Sequence, residues 1–185
     1  CVTTKQFEKP FDNEKVHGRS SPNETFIIKI NGEKIIGNKI VHRGKAYDER
    51  TVHKNWIAID GQKIMEKDFY AYQHKEGYYM YYKPLNRIPF FIPRIRQGKI
   101  NLYYYEHAPL GPNQNDVRGA YHVYVFEKEA GKLEELTFAS FSSAIGDNPE
   151  ALGKFRQLYP NSKIPLFNEK ENLRNLTSVV ELYNK

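Results

Sequence analysis

The single cysteine of this 185-residue chain, Cys1, carries the most specific chemistry in the sequence. Bacterial lipoprotein maturation acylates a cysteine that becomes the first residue, and two or more acyl chains give stable membrane anchoring. The residues that follow, Val2-Thr3-Thr4-Lys5, are typical of a tether. We expect a covalent lipid on Cys1 and no other cofactor. An arbitrary cut at this position and an amino-terminal nucleophile hydrolase remain open as alternatives.

The other residues that could perform catalysis or bind metal lack a suitable spacing. The six histidines form no pair at metal-binding distance along a helix or strand, and a second cysteine ligand is missing. They are His17, His42, His53, His74, His107 and His122. No serine lies in a Gly-x-Ser-x-Gly turn, and no glycine-rich phosphate loop occurs. We therefore expect a protein that is not an enzyme and has neither a metal site nor a small-molecule substrate.

Aromatic and basic residues accumulate in the middle of the chain. The chain has 14 tyrosines and 11 phenylalanines, and no acidic residue lies between Glu76 and Glu106. Arginine and tyrosine are enriched where the binding energy of protein interfaces concentrates. We predict that this region binds another protein. The predicted partner-binding residues are Tyr79, Tyr81, Arg87, Arg94, Arg96 and Lys99.

Other interpretations of these residues stay open. Tyrosine forms strands well, so the rings could simply pack in and around a sheet. Exposed rings could also stack on a polysaccharide, or on single-stranded nucleic acid together with the nearby cations. An exported protein would meet no nucleic acid, so we do not expect a nucleic-acid partner. The basic face could equally be solvated.

The elements that must position these residues are short strands separated by turn signals. Asn31-Gly32 and Asp60-Gly61 each follow an apolar run and predict two-residue hairpin turns. Pro93 predicts an edge strand or a bulge, because proline has no N–H to give to the sheet. Turn signals every 8–12 residues continue to residue 137 and predict an antiparallel meander, an open barrel or a sandwich.

Beyond residue 137 the apolar residues recur with a helical period. Asp147 or Asn148 can cap a helix that Pro149 begins and Pro160 stops. Asn168 can cap a last helix, whose apolar face would hold Leu173, Leu176, Val180 and Tyr183. Helices that follow strands in sequence predict an α+β fold. The expected organisation is a tether over residues 1–22, a β-rich domain over 23–137, and a helical segment over 138–185 packed on it.

The order of these features resembles a loosely defined group of uncharacterised envelope proteins that are common in Bacteroidetes. The matching stretches are the hairpin Gly32-Glu33-Lys34-Ile35-Ile36-Gly37, the tyrosine-rich run from Phe69 to Glu106, and the end from Leu173 to Asn184. Glu33-Lys34 stands where that group usually has Asp-Thr. The resemblance implies an exported and often lipidated protein, and it supplies no catalytic residues.

The function we expect is that of an accessory subunit. The protein would be held by its lipid at the periplasmic face of the outer membrane. It would belong to an envelope complex for secretion, insertion or uptake. The alternative is a module that binds glycan or cell wall through tyrosines and phenylalanines of the sheet.

Overall fold

A computed structural model describes residues 24–43, 56–75, 77–83, 90–107, 121–128, 132–165 and 169–185. These residues form eleven strands and three helices. The strands are β1 Thr25–Lys29, β2 Lys34–Gly37, β3 Ile40–Arg43, β4 Trp56–Ile59, β5 Gln62–Met65, β6 Phe69–His74, β7 Gly77–Tyr82, β8 Phe90–Arg96, β9 Asn101–His107, β10 Tyr121–Glu127 and β11 Glu134–Glu135. The helices are α1 Phe138–Ala144, α2 Pro149–Leu158 and α3 Glu169–Tyr183, and Glu66–Asp68 forms a short 3₁₀ turn.

The strands form two antiparallel sheets. Eight of them are ordered β11-β10-β9-β8-β7-β6-β1-β2, and the other three are ordered β3-β4-β5. The predicted α+β fold, a mainly antiparallel meander followed by helices, is confirmed. Strand β3 was not predicted, because Ile40 and Val41 alone make too short an apolar run to signal a strand.

The chain divides into two compact units between Pro93 and Arg94. The first unit holds β1–β7 and the part of β8 up to Pro93. The second holds the rest of β8, the strands β9–β11 and the three helices. The predicted boundaries at residues 22 and 137 stay predictions.

Strand β8 changes its partner at Pro93. Residues Phe90 to Pro93 pair with β7, whereas Arg94 and Arg96 pair with β9, with an irregular register between these two arginines. Proline is tolerated where a strand changes its partner, because a residue there forms main-chain hydrogen bonds with only one neighbouring strand. The predicted bulge is present as the irregular register between Arg94 and Arg96, and Pro93 itself pairs with a single neighbouring strand, as an edge residue does.

The core of the first unit lies between its two sheets. Ile57 and Ile59 of β4 pack in one cluster with Ile27 of β1 and Tyr72 of β6, and all four are buried. Burying such side chains contributes about 1.5–3 kcal/mol each. This packing determines which face of β6 and β7 is turned toward the smaller sheet.

The two predicted hairpin turns both form, but only one has the expected geometry. Asp60 and Gly61 have φ angles of 47° and 86°, as a two-residue turn with both residues left-handed requires. In the β1–β2 hairpin only Gly32 is left-handed, with φ 84°, and its N–H donates to Lys29 O at 2.9 Å. The loop is therefore longer than predicted, because the left-handed glycine follows an ordinary turn.

The core of the second unit lies between β9, β10 and the helices. Leu102, Phe126, Phe141 and Phe155 are buried in it, together with the apolar face of α3. Asn148 caps α2 by accepting from Ala151 N at 3.0 Å, as predicted. The helices thus pack on the strands that precede them.

Candidate functional site

Strand β7 separates its aromatic side chains between two faces. Tyr78, Met80 and Tyr82 are buried, whereas Tyr79 and Tyr81 are partly exposed. Alternation of side chains along a strand puts these two sets on opposite faces. The two predicted binding tyrosines therefore share the partly exposed face, and on that same face Tyr79 packs against the core cluster of the first unit.

Neighbouring strands add further rings to that face. Tyr79 lies opposite Tyr72 of β6, and Tyr81 lies opposite Phe91 of β8. His74, two residues beyond Tyr72, contacts the same group. We name Tyr72, His74, Tyr79, Tyr81 and Phe91 the aromatic row. Tyr72 is buried, and the other four are partly exposed.

Three rings of the aromatic row stack on one another. The Tyr72 and Tyr79 centroids are 4.9 Å apart with planes 9° apart, and those of His74 and Tyr79 are 5.3 Å apart with planes 15° apart. Coplanar rings this close would overlap sterically, so near-parallel planes at this distance mean offset stacking. At least one face of each ring is therefore used inside the row.

Phe91 joins the aromatic row to the core. Its ring stacks on the buried Phe69 at 5.0 Å and meets Tyr72 and Tyr81 edge to face at 5.2 and 5.7 Å. Aromatic pairs in these geometries contribute about 0.5–1.5 kcal/mol beyond their area. The row is consequently held rigidly, with its positions fixed by the sheet and by ring packing.

The hydroxyl of Tyr81 is held in its neutral form. Burial, followed by the negative charge of Glu66 in the 3₁₀ turn, raises the pKa of Tyr81 to about 12. At neutral pH the phenol therefore remains a hydrogen-bond donor as well as an acceptor. The aromatic row can offer a partner apolar ring surface together with such polar tips.

The predicted arginines lie in the second unit, and the strand irregularity separates them. Arg94 is opposite Tyr103, and Arg96 is opposite the next residue of β9, Leu102. Because successive residues of β9 point to opposite faces, the two arginines do not share a face as regular alternation would predict.

Both arginines have partners within the second unit. Arg94 Nη2 donates to Gln97 Oε1 at 3.0 Å, and Arg96 Nε donates to Glu181 Oε1 of α3 at 2.7 Å. Lys99 is exposed in the turn between β8 and β9. The other two predicted site residues, Arg87 and Cys1, lie outside the described residues.

The sequence alone did not identify Tyr72, His74 and Phe91 as members of the aromatic row. The register contained the signal: His74 lies opposite Gly77, so counting outward from this tight turn places Tyr72 opposite Tyr79. Placing Phe91 in the row requires the β7–β8 register, and the sequence between these strands contains no turn signal of fixed length that would give it. The row is thus only partly readable from the sequence.

Among the described residues of the second unit, two polar clusters lie apart from the arginines. The buried Glu127 carboxylate accepts from Asn101 Nδ2 at 2.8 Å and from Tyr103 OH at 2.7 Å. Asp147 accepts from Lys128 Nζ at 3.0 Å and from Tyr183 OH at 2.9 Å. Each carboxylate accepts hydrogen bonds from side chains of other parts of the second unit and so links those parts.

Among the described residues, no group of three or more His, Cys, Asp or Glu side chains is arranged to hold a metal ion. None of the helices in the described ranges has both the length and the apolar character needed to cross a bilayer. Comparisons with protein-family models, curated proteins and solved structures find no match.

Proposed function

We propose that the protein is a binding subunit that docks on another protein through the aromatic row. The observation that carries the proposal is the ring geometry around Tyr79. This side chain is partly exposed, yet its ring is fixed by stacking against Tyr72 and His74. A rigid, partly exposed aromatic side chain loses little entropy on binding, so it makes a favourable anchor for a protein interface.

The same geometry supports a protein partner over a glycan. A sugar packs on rings that lie side by side with their outer faces free. Tyr72, Tyr79 and His74 instead stack face to face in part. Rings presented in this way, with a neutral Tyr81 hydroxyl beside them, fit a mixed apolar and hydrogen-bonding interface better.

The experiment compares tyrosine variants in a quantitative pull-down. The full chain, tagged after Lys185, is recovered from gently solubilised membranes, and retained proteins are quantified by mass spectrometry. Tyr79→Ala and Tyr81→Ala should each lower recovery of one stoichiometric partner, with a binding loss of roughly 1–3 kcal/mol if the ring is a central anchor. Tyr81→Phe, which keeps the ring, should retain most of the recovery.

The matched control is Tyr104→Ala, which removes a partly exposed tyrosine from β9. It should leave partner recovery unchanged. Circular dichroism confirms that each variant keeps its fold. The glycan alternative prevails if the variants recover all proteins normally but lose binding to insoluble cell-wall polysaccharide.

The cellular location is a separate part of this proposal. We propose the outer membrane, with anchoring through a lipid on Cys1 and the domain on the periplasmic side. Intact-mass measurement of the native protein tests the lipid directly. An unmodified Cys1 would overturn the anchor but leave the aromatic docking surface untouched.

A further inference from the structure

Strand β5 is an open edge of the smaller sheet. The order β3-β4-β5 gives it β4 as its only neighbour among the described residues. The Asp60-Gly61 turn makes Ile59 and Gln62 the closing hydrogen-bonded pair, and such pairs alternate along an antiparallel ladder. The backbone N–H and C=O groups of Lys63 and Met65 therefore point away from β4.

A cleft of about 390 Å³ follows this edge. All four residues of β5 line it, and Lys29, Ile30 and Asn31 of the β1–β2 turn line the other side. Successive side chains of a strand point to opposite faces, so a cleft that touches every residue of β5 must run along its edge.

The main-chain N–H and C=O of Lys63 have no main-chain hydrogen-bond partner within the described part of the chain. Met65 precedes the 3₁₀ turn Glu66–Asp68 and its C=O accepts the first hydrogen bond of that turn, so at Met65 only the N–H is left for a partner strand. The Lys63 donor and acceptor and the Met65 donor are spaced by the two-residue repeat of a strand, about 6.6 Å. Only another extended backbone matches that spacing of alternating donors and acceptors.

The side chains of the cleft add charge and apolar surface. Lys63 Nζ lies 4.9 Å from the centroid of the Trp56 ring, and no carboxylate of the described residues forms an ion pair with it. Ile30, on the opposite side, is 46% exposed. Lys29 is paired with Glu33, and Asp68 contributes one negative charge to the lining. Lys63 is thus the cation placed to receive an acidic side chain.

We propose that β5 binds an extended, acidic polypeptide segment of a partner protein, which adds to the smaller sheet as a fourth strand. Main-chain pairing with the N–H and C=O of Lys63 and with the N–H of Met65 holds the segment. A carboxylate of the segment pairs with Lys63, and an apolar side chain covers Ile30. This site does not depend on the aromatic row and shares no residue with it.

The test uses a defined probe and a built-in reporter. The probe is the acetylated and amidated hexapeptide Val-Glu-Val-Glu-Val-Glu, and the reporter is Trp56, the only tryptophan of the chain. Lys63 lies over that ring, so a peptide that engages Lys63 should change Trp56 fluorescence. The same peptide N-methylated at every residue keeps the charges but cannot donate main-chain hydrogen bonds, and it should not bind.

Two substitutions at one position separate the backbone from the side chain. Lys63→Pro removes an outward N–H without touching the β4–β5 ladder, which edge strands tolerate. It should weaken binding roughly tenfold or more, whereas Lys63→Ala should weaken it less than about threefold. Ile64→Pro removes an N–H that bonds within the β4–β5 ladder. Its circular dichroism spectrum serves as the reference for a disrupted sheet.

Three outcomes would overturn the proposal. Lys63→Pro could stay folded and bind the probe like wild type. Lys63→Ala could lose as much as Lys63→Pro while the methylated peptide still binds, which would make the cleft a simple anion site. Sedimentation could show a wild-type dimer that Lys63→Pro dissociates, which would make a second copy the occupant. Tyr79→Ala should leave probe binding unchanged, so this proposal and the docking surface fail separately.

Discussion

The side chain of Asn184 satisfies both backbone hydrogen-bonding groups of Ile100. Its Oδ1 accepts from Ile100 N at 2.8 Å, and its Nδ2 donates to Ile100 O at 3.0 Å. Ile100 is buried, and Asn184 directly follows helix α3. This amide therefore ties the end of the helix to the turn between β8 and β9.

Removing that amide should destabilise the second unit. Asn184→Ala leaves two backbone groups of Ile100 without their partners, which costs about 1–3 kcal/mol when such groups are buried. Urea unfolding measures the change in free energy. Asn161→Ala, in an exposed turn, is the control and should change stability by less than about 0.5 kcal/mol. Equal stability of the two variants would contradict the structural role of Asn184.

Gly98 and Asn184 should show coupled effects on stability. A Cβ added at Gly98 would collide with the side-chain amide of Asn184. Gly98→Ala should therefore destabilise the protein in the wild-type background and much less in Asn184→Ala, where the obstacle is gone. A double-mutant cycle in urea should give a coupling energy of about 0.5–3 kcal/mol. Strictly additive effects would show that the two residues are independent.

Asp60 should stabilise the first unit by two separable means. Its carboxylate accepts from Asn38 N at 2.9 Å and from Lys39 N at 3.0 Å, and its own φ is 47°. Asp60→Ala loses these two bonds and a third from Asn38 Nδ2, and it strains the turn, at a cost of about 2–3 kcal/mol. Asp60→Gly loses the bonds only and should cost about 1 kcal/mol less. Thermal melting compares the two, and identical losses would contradict a strain contribution.

Acid should selectively remove the contribution of Asp147. The hydrogen bond from Lys128, followed by that from Tyr183, lowers the pKa of Asp147 below its ordinary value. A carboxylate with a lowered folded pKa stabilises above the unfolded pKa of about 3.9 and loses that contribution as the pH falls through the folded pKa. Asp147→Asn should therefore melt below wild type at pH 7, with the gap closing below about pH 4. Glu150→Gln is the control, and a gap that does not narrow between pH 7 and pH 3 would contradict this origin.

Local signals in the sequence account for much of the fold. Asp60-Gly61 and Pro149 have conformations that few other residues adopt as easily, so the hairpin and the helix start could be predicted. Strand β3 could not, because its place depends on Asp60, whose backbone N–H donates to Lys39 O across 21 residues. Such tertiary bonds leave no local pattern.

The candidate site was predictable only where alternation is regular. Strand β7 alternates without interruption, so Tyr79 and Tyr81 could be assigned to one face. The irregularity in β8 reverses that argument, because it moves Arg96 to the face opposite the one that carries Arg94. A bulge depends on the fit of neighbouring strands, which the sequence of one strand does not contain.

Exchange of the Arg96–Glu181 charges should separate stability from partner binding. The two side chains are 44% and 54% exposed, so their ion pair contributes less than about 1 kcal/mol. Arg96→Glu should lower stability by about that amount, and the added Glu181→Arg should restore it. Because Glu181 already engages Arg96, we expect the exchanged protein to recover its partner like wild type. A stable exchanged protein that loses its partner, while Tyr104→Ala keeps it, would return Arg96 to the partner-binding surface that its sequence predicts.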